Sequence, residues 1–422
     1  MLDPKFIRAN PDRIRAALQL KGQKADLEGW LALDAEKRER LQEVESLRFR
    51  QNTASQEIAR LKREKQDATA RIEEMRAVSD EIKSLEAELR RIDDESDEIL
   101  RWIPNVPHPD VPAGGPENNV IVRHWGAPPD ESFKPLAHWE IGEALGILDL
   151  KAASKISGSN FSLTRGVGAR LERALVNFML DLHTTRHGYT EVSVPYIVRR
   201  ESAFGTGQLP KLEEDMYLCE VDDLFLIPTA EVPITNILRD EILPAGSLPV
   251  YLTAYSPCFR RESGAYGRET RGLMRVHQFD KVEMVRFVEP VHSYDELEKL
   301  TANAEAVLRA LELPYRVVML AAGDLSFAAA KCYDLEVYAA GEGGRWLEVS
   351  SCSNFESFQA RRIGIRYRAE DGRVDYVHTL NGSGLALPRT MIALLENFQT
   401  PSGTVRVPEA LQPYLGLAEI GA

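Results

Sequence analysis

Residues 255–287 read YSPCFRRESGAYGRETRGLMRVHQFDKVEMVRF and are the most informative part of the chain. A strand-like segment leads in through Phe259, a loop with three glycines follows, and a second strand-like segment begins near Phe279. This order predicts a long β-hairpin with arginines at its root and glycines at its tip. The charged residues and glycines are Arg260, Arg261, Glu262, Arg268, Arg271, Gly264, Gly267 and Gly272.

The residue types in this hairpin favour the binding of an anion. Arginine holds planar oxyanions through two parallel hydrogen bonds, which suits phosphates and carboxylates. The alternative is a hairpin that only carries exposed charges. Exposed charges alone do not require Phe259 and Phe279 at matching points on the two strands, so we favour the binding hairpin.

The composition is typical of a globular protein with more than one domain. The 422 residues are 44% hydrophobic and 28% charged, and roughly 150 residues per domain would give two or three domains. The sequence contains no run of about 18 apolar residues, so we expect no membrane span. The N-terminus lacks the apolar core of a secretory signal. The net charge of −13 argues against a generally basic nucleic-acid binder but allows a local basic patch.

The four cysteines are far apart and form no CxxC pair. They are too few for a disulfide framework and badly spaced for zinc, so we expect reduced thiols, no zinc and a cytoplasmic location. These residues are Cys219, Cys258, Cys332 and Cys352.

Two long helices are predicted near the N-terminus, from Ala25 to about Lys65 and from Ala68 to about Trp102. The second has apolar or small residues at alternating spacings of three and four, which is a heptad seam. We therefore expect an antiparallel coiled-coil arm over about 28–101, roughly 50 Å long, in an N-terminal domain of residues 1–103. The seam residues are Met75, Val78, Ile82, Leu85, Leu89, Ile92, Ser96 and Ile99.

The end of this arm is basic. Between residues 48 and 65, six basic and two acidic side chains give a net charge of +4. A solvated helix face is the plain interpretation of such a run, and an RNA backbone is the functional one. The basic residues are Arg48, Arg50, Arg60, Lys62, Arg63 and Lys65.

Residues 104–137 contain eight prolines and predict an irregular connection to a body of residues 138–422. The body contains an amphipathic helix over Arg170–Arg186 and a strand over Tyr189–Val198. Pro195 within this strand indicates a sheet edge. Further strands and helices alternate without βαβ regularity. We expect an α+β domain with a mostly antiparallel sheet flanked by helices.

Neither a GxGxxG turn nor a P-loop motif is present, so a nucleotide would be held by other means.

The hairpin is similar to motif 2 of the class II aminoacyl-tRNA synthetases, and specifically to that of the seryl-tRNA synthetase family. Residues 381–399, NGSGLALPRTMIALLENFQ, resemble motif 3 of that family, and residues 346–362, WLEVSSCSNFESFQARR, resemble the strand before it. The N-terminal arm matches the family as well, so the resemblance covers nearly the whole chain. It implies a homodimer whose interface contains the helix and the proline-ended strand of the body, which are motif 1. One departure is Pro388, where the motif often has glycine.

The resemblance implies an ATP site. Arg260 would bind the α-phosphate and the serine carboxylate, Glu262 would lie near the adenine amino group and Phe279 would stack on the adenine. Arg389 would bind on the γ-phosphate side, and Glu348 and Ser351 would hold Mg²⁺. Arg260, Arg389 and Glu348 are the implied catalytic residues. The implied ATP-binding residues are Arg260, Arg261, Glu262, Phe279, Glu348, Val349, Ser350, Ser351 and Arg389. We expect His277 to act as a supporting hydrogen bonder, whereas Arg268 and Arg271 could meet pyrophosphate or the acceptor end of tRNA.

The resemblance also implies a small polar pocket for L-serine. Its residues would be Thr229, Ala230, Glu231, Arg260, Glu283, Asn381 and Ser383. A site that hydrogen-bonds a substrate hydroxyl strongly rejects analogues without it, whereas threonine must be rejected sterically.

The implied activity is that of a serine–tRNA ligase, which would form seryl-adenylate and then transfer serine to the 3′ end of tRNA-Ser, with the arm and its basic residues binding the tRNA. Whether a selenocysteine tRNA is also a substrate stays open. Two alternatives are a synthetase-like ligase that loads an amino acid onto a carrier protein and an inactive coiled-coil paralogue. The arm and the absence of clustered cysteines count against the first, and the presence of Arg260 and Arg389 against the second.

Overall fold

The structure, a computed structural model, describes residues 1–129, 133–263 and 271–421. Gly264, Gly267 and Arg268 of the hairpin lie outside the described residues. The chain divides into two compact units, Leu2–Pro104 and Asn105–Ala422, the second of which also includes Met1.

The first unit is helical. Its helices are α1 (Pro4–Ala9), α2 (Pro11–Leu20), α3 (Leu27–Arg63) and α4 (Thr69–Leu100). Helix α3 begins at an Asp26 cap, whose carboxylate accepts a hydrogen bond from the Gly29 amide at 2.9 Å.

The two long helices run antiparallel and share an apolar seam. Val44 and Leu47 of α3 pack with Val78, Ile82 and Leu89 of α4 in one buried cluster. Ion pairs between the helices show the antiparallel arrangement. Lys37, early in α3, bonds to Asp93, late in α4, and Glu57, late in α3, bonds to Arg71, early in α4. The predicted coiled coil is confirmed.

The second unit is built on one large sheet. Its helices are α5 (His138–Ala144), α6 (Leu150–Ser157), α7 (Val167–Arg186), α8 (Arg200–Thr206), α9 (Glu231–Asn236), α10 (Ser293–Ala310), α11 (Phe358–Ile363), α12 (Leu387–Asn397) and α13 (Gln412–Leu415). Its strands are β1 (Val120–Trp125), β2 (Thr190–Glu191), β3 (Ile197–Arg199), β4 (Leu218–Cys219), β5 (Leu224–Leu226), β6 (Ile242–Leu243), β7 (Val250–Phe259), β8 (Gln278–Val288), β9 (Tyr315–Met319), β10 (Lys331–Ala339), β11 (Arg345–Asn354), β12 (Arg366–Arg368), β13 (Val374–Tyr376), β14 (His378–Ala386), β15 (Val405–Arg406) and β16 (Glu419–Ile420).

The large sheet has eight strands in the order β1-β9-β10-β11-β14-β8-β7-β2. Every pair is antiparallel except β2 with β7, which is parallel. With helices packed against it, the sheet confirms the predicted α+β class and its mostly antiparallel character.

Successive side chains of β8 point to opposite faces of the sheet. Val282 and Met284 join the core formed with α7, α10 and α12, whereas Val285 and Phe287 join a second core with α9 and α11. Glu283 lies on the second face, since it shares the parity of Val285. This face carries the candidate site.

Two sequence predictions differ from the structure. The proline-rich segment 104–137 contains a strand, β1, because the β-branched run from Val120 to Val122 lies between the prolines and pairs with β9. The strand expected over Tyr189–Val198 is split into β2 and β3, since Pro195 interrupts the pairing.

Candidate active site

An open cleft of about 680 Å³ lies on the second face of the sheet. Strands β8, β11 and β14 supply its floor, and residues 206–216, which begin at the last residue of α8, supply one wall. The cleft brings together most of the residues that the sequence predicts for ATP and serine. Those lining it are Thr229, Glu231, Arg260, Glu262, Phe279, Glu348, Val349, Ser350, Ser351, Asn381, Ser383 and Arg389.

The deepest part of the cleft is polar and closely hydrogen-bonded. Glu283 is fully buried, and its carboxylate accepts hydrogen bonds from Thr229 Oγ1 at 3.2 Å and Asn381 Nδ2 at 2.9 Å. It also pairs with Lys281 Nζ at 2.6 Å. Glu283 is not among the residues that line the cleft, but it bonds two that do, Thr229 and Asn381, and so orders the pocket from below.

Glu231 is the buried carboxylate that does line the cleft. It begins α9, and its Oε1 accepts a hydrogen bond from Gln359 Nε2 at 2.7 Å. Burial, and secondly the Glu283 charge, raise the pKa of Glu231 to about 7. Gln359 opposes this shift, because a hydrogen bond donated to a carboxylate favours the charged form.

Arg260 follows β7 directly and faces the cleft. Its guanidinium carbon lies 5.1 Å from the centre of the Phe279 ring, and its Nε is 3.4 Å from the Pro228 carbonyl oxygen. Within the described ranges 1–129, 133–263 and 271–421, no carboxylate forms an ion pair with it. The guanidinium is therefore open to an anion from the cleft.

Glu262 is held by an ion pair with Arg275 across the root of the hairpin. Its backbone has a φ of +51°, an uncommon conformation for a residue other than glycine. His277 Nδ1 lies 3.1 Å from the Arg260 carbonyl oxygen, as expected for a supporting hydrogen bonder. Together these contacts fix the backbone on which Arg260 and Glu262 stand.

The opposite side of the cleft combines a cation and a carboxylate. Arg389, near the start of α12, donates from Nη1 to the Glu348 carbonyl oxygen at 2.8 Å and lies 3.4 Å from its carboxylate. Pro388 occupies the first turn of α12, where proline is well tolerated, so the departure from glycine leaves Arg389 in the cleft.

The residues predicted to hold Mg²⁺ fit that ion. The Glu348 side chain is 48% exposed at the cleft, and Ser351 lines the cleft on the same strand. Mg²⁺ in nucleotide sites takes one or two carboxylates together with substrate phosphates and waters, which is the donor set offered here. Val349 has no partner in the register between β10 and β11, and this bulge aims the residues on either side of it.

Three predicted residues do not line the cleft. Ala230, the residue just before α9, is fully buried, and Glu283 lies beneath the pocket as described. Arg261 is exposed, and its amide donates to the Asp215 carbonyl oxygen at 2.8 Å.

The sequence reasoning missed several residues around the site. Lys281 shares the parity of Phe279 and Glu283 on β8, so alternation could have identified it. Asp334 lies opposite Ser351 in the register of β10 with β11, and burial, then the Glu348 charge, raise its pKa. No sequence signal indicates Gln359 as a partner of Glu231, since the two are 128 residues apart.

The predicted tRNA-binding residues on the arm are all exposed. Two of them are engaged, Arg48 with Glu86 at 2.7 Å and Arg50 with Glu74 at 3.4 Å. The four at the turn between α3 and α4 form no ion pair with any residue in the described part of the chain. These are Arg60, Lys62, Arg63 and Lys65.

Comparison with known proteins decides the family. Residues 1–107 match the seryl-tRNA synthetase N-terminal domain, and residues 217–398 match the class II core domain of the G, H, P, S and T tRNA synthetases. A serine–tRNA ligase of Caldanaerobacter subterraneus subsp. tengcongensis is 59% identical over 417 residues, which are 98% of each chain. The chain belongs to the seryl-tRNA synthetase family. It is thus a class II aminoacyl-tRNA synthetase of the serine–tRNA ligase kind.

Solved seryl-tRNA synthetases have the same fold. The enzyme of Pyrococcus horikoshii, solved with ATP, superposes with a TM-score of 0.93 at 38% identity, covering 100% of this chain and 99% of that one. The cytoplasmic enzyme of Naegleria fowleri, solved with AMP, superposes with a TM-score of 0.88 at 30% identity, covering 100% and 98%. Within the described residues, no helix of this family member is long and apolar enough to cross a bilayer.

Proposed function

We propose that this chain forms seryl-adenylate and pyrophosphate from L-serine and ATP, and then transfers the serine to the 3′ end of tRNA-Ser. The observation that carries the proposal is the position of Arg260, a guanidinium without a carboxylate partner among the described residues, which lines one cleft with Glu231 and Phe279. Family membership supports the same activity.

The chemistry asks the protein mainly for position and charge. The serine carboxylate must approach the α-phosphate of ATP although both are anions, and the transition state gathers further negative charge. Arg260 would bind both groups and offset their repulsion. Arg389 would bind near the γ-phosphate, and Phe279 would stack on the adenine, with Glu262 near its amino group.

Serine would be oriented by the polar end of the cleft. Glu231 would accept hydrogen bonds from the substrate ammonium, while Thr229, Asn381 and Ser383 would surround the side chain. Glu283 would hold these groups in place from beneath. The pocket would then reject alanine, because its buried polar groups would lose their partner, and threonine through the volume of its methyl group.

Glu348 and Ser351 would hold Mg²⁺ in the complex with ATP. When bound, the ion supplies positive charge to the phosphates. The half-exposed Glu348 carboxylate beside Arg389 supports this assignment. That the chain uses no zinc stays a prediction.

The basic turn of the arm would bind the tRNA backbone. Its four exposed basic residues support this, since none of them forms an ion pair within the described part of the chain. We also propose a homodimer, which size-exclusion chromatography with light scattering would test, and a cytoplasmic location.

The proposal is tested by charging total tRNA with labelled serine in the presence of ATP and Mg²⁺, with labelled threonine and alanine in parallel. We expect serine alone to be incorporated. Incorporation of none of them by a folded protein, with matched tRNA, would favour the carrier-protein ligase or the inactive paralogue. A purified selenocysteine tRNA in the same assay tests the second tRNA substrate.

A further inference from the structure

A buried amide lies directly behind the carboxylate that lines the cleft. Gln359 of α11 is 1% exposed and does not reach the cleft itself. Its Nε2 donates to Glu231 Oε1 at 2.7 Å and lies 3.0 Å from the Thr206 carbonyl oxygen at the end of α8. Its Oε1 accepts a hydrogen bond from Thr379 Oγ1 of β14 at 2.7 Å.

These three partners permit one orientation of the amide. The Glu231 carboxylate and the Thr206 carbonyl can only accept hydrogen bonds, so the amide nitrogen must face both of them. The Thr379 hydroxyl, fully buried, donates to the amide oxygen on the other side. A flipped amide would place its oxygen against two acceptors, and such unsatisfied buried groups are costly.

The hydrogen bond from Gln359 gives the two carboxylate oxygens of Glu231 different surroundings. Oε1 is engaged by Gln359, and the carboxylate receives no other side-chain hydrogen bond from the described residues. Glu231 nevertheless lines the cleft at 6% exposure. One oxygen is therefore held from behind, and the other is left for a ligand that enters the cleft.

We propose that Gln359, itself oriented by Thr379, is a positioning residue for the amino-acid substrate, because it fixes the Glu231 carboxylate to receive the ammonium group. The inference rests on the proposed function. It assigns a role in amino-acid binding to a residue that lies outside the cleft and on a different element from every serine-binding residue predicted above.

The charges around Glu231 show why a neutral donor matters there. Glu283 of β8 disfavours the ionised form, whereas Lys281 of β8 and Arg260 after β7 favour it, and Gln359 is the one hydrogen-bond donor from α11. Loss of that donor would raise the pKa of Glu231 further. Serine binding would then require a higher pH.

The test is serine-dependent exchange of pyrophosphate into ATP by the full-length protein, with Gln359→Leu and Gln359→Glu. We expect KM for serine to rise by about ten- to hundredfold, as for a lost hydrogen bond to a charged group, while KM for ATP changes by less than about threefold. The alkaline shift of the pH profile of kcat/KM for serine is the second readout for Gln359→Leu. Gln399→Leu is the matched control, since Gln399 is buried and bonds the Leu136 carbonyl oxygen away from the cleft.

Variants of Thr379 test whether its hydroxyl orients Gln359 or whether its side chain only fills space. Thr379→Val preserves the shape of the side chain but removes the hydroxyl, and we expect a threefold to tenfold rise in KM for serine, roughly one neutral hydrogen bond. Thr379→Ser keeps the hydroxyl and should restore a value near that of the unsubstituted protein.

Several results would overturn the inference. An unchanged KM for serine in Gln359→Leu would do so, as would equal rises in both KM values with no shift of the pH profile, which would indicate a structural role. If the unsubstituted protein shows no serine-dependent exchange, that result rejects the proposed function itself, and the inference about Gln359 with it. Exchange in the unsubstituted protein with no selective effect of Gln359→Leu rejects only the role of Gln359.

Discussion

At the scale of single residues, the site depends on which charges are already neutralised. Glu283 is buried with three partners, whereas Arg260 faces the cleft without a carboxylate partner among the described residues. An unpaired guanidinium in a cleft is prepared for an anionic ligand, and a satisfied carboxylate is prepared to hold its neighbours.

Arg260 and Arg261 allow a test between adjacent arginines. Arg260→Ala should reduce serine-dependent pyrophosphate exchange by at least about a hundredfold, because charge stabilisation in the transition state is lost. Arg261→Ala should change it by less than about fivefold, since an exposed side chain outside the cleft contributes little. Equal losses in the two variants, measured under the same conditions, would contradict this reading of the hairpin.

The pKa of Glu231 predicts a pH dependence. Burial and the charge of Glu283 raise this pKa to about 7, so the carboxylate gains a proton as the pH falls through neutrality. The protonated acid no longer offsets the ammonium charge, so kcat/KM for serine should fall below about pH 7, by about tenfold per pH unit well below the pKa. A Glu231→Gln variant, which cannot ionise, should be weak and lack this acidic limb. An identical limb in that variant would assign the titration to another group.

At the scale of elements, the exit of the motif 2 hairpin is anchored at successive residues. The Arg271 guanidinium lies 4.7 Å from the centre of the Trp139 ring. At Gly272, with a φ of +71°, a Cβ would lie 2.2 Å from His138 Nε2. The Leu273 amide donates to His138 Nε2 at 2.9 Å, so the first turn of α5 holds the returning chain.

His138 connects this anchor to α12. Its Nδ1 lies 2.8 Å from Glu396 Oε1, and its Nε2 accepts from Leu273, which requires the neutral ring with its proton on Nδ1. Glu396 also accepts from the Gly341 amide at 2.9 Å. One buried ring thus links the two motifs that carry Arg260 and Arg389.

Removal of this ring should affect stability and ATP binding together. His138→Ala leaves a buried carboxylate with fewer donors, and we expect unfolding free energy to fall by about 2–3 kcal/mol. KM for ATP should rise several-fold, because the hairpin exit lines the cleft at Leu273 and Met274. Chemical denaturation and exchange kinetics check both effects, with exposed His124→Ala on β1 as the control. A stability loss in the control of the same size would remove the argument for a specific anchor.

At the scale of the whole molecule, each of the two units has its own proposed role, tRNA binding for the helical unit and activation of serine for the sheet unit. The helical unit is held by its own apolar seam, and the sheet unit contains the cleft. The net charge of −13 and the basic turn have opposite signs, so tRNA would be attracted to a local patch of an otherwise acidic protein.

The basic turn predicts an effect confined to tRNA. Replacement of Arg60, Lys62, Arg63 and Lys65 by alanine should raise KM for tRNA, and the slope of affinity against salt should fall by up to about one per lost phosphate contact. Pyrophosphate exchange should stay unchanged, because it needs no tRNA. Exposed Arg76 and Lys83, replaced by alanine on α4, provide the control. A rise in KM of equal size in that control would show general electrostatics and not a site.

The fold class, the coiled coil and the residue types of the cleft follow from local patterns in the amino-acid sequence. Their signals are local: a heptad seam, alternation in β8, and arginines and glycines in a fixed order. Alternation along a strand decides which side chains share a face, so Phe279 and Glu283 could be assigned to one surface without coordinates.

Which of these residues face the cleft and which support it could be seen only once the chain was folded. The structure places Glu283, a predicted serine-binding residue, beneath the cleft with three polar partners, and its direct contact with serine stays a prediction. It also shows that Gln359, which the sequence does not single out, holds Glu231. Both outcomes depend on contacts between residues far apart in the chain. Hydrogen bonding and burial are set by the packing of distant elements, and no local pattern in the sequence encodes them.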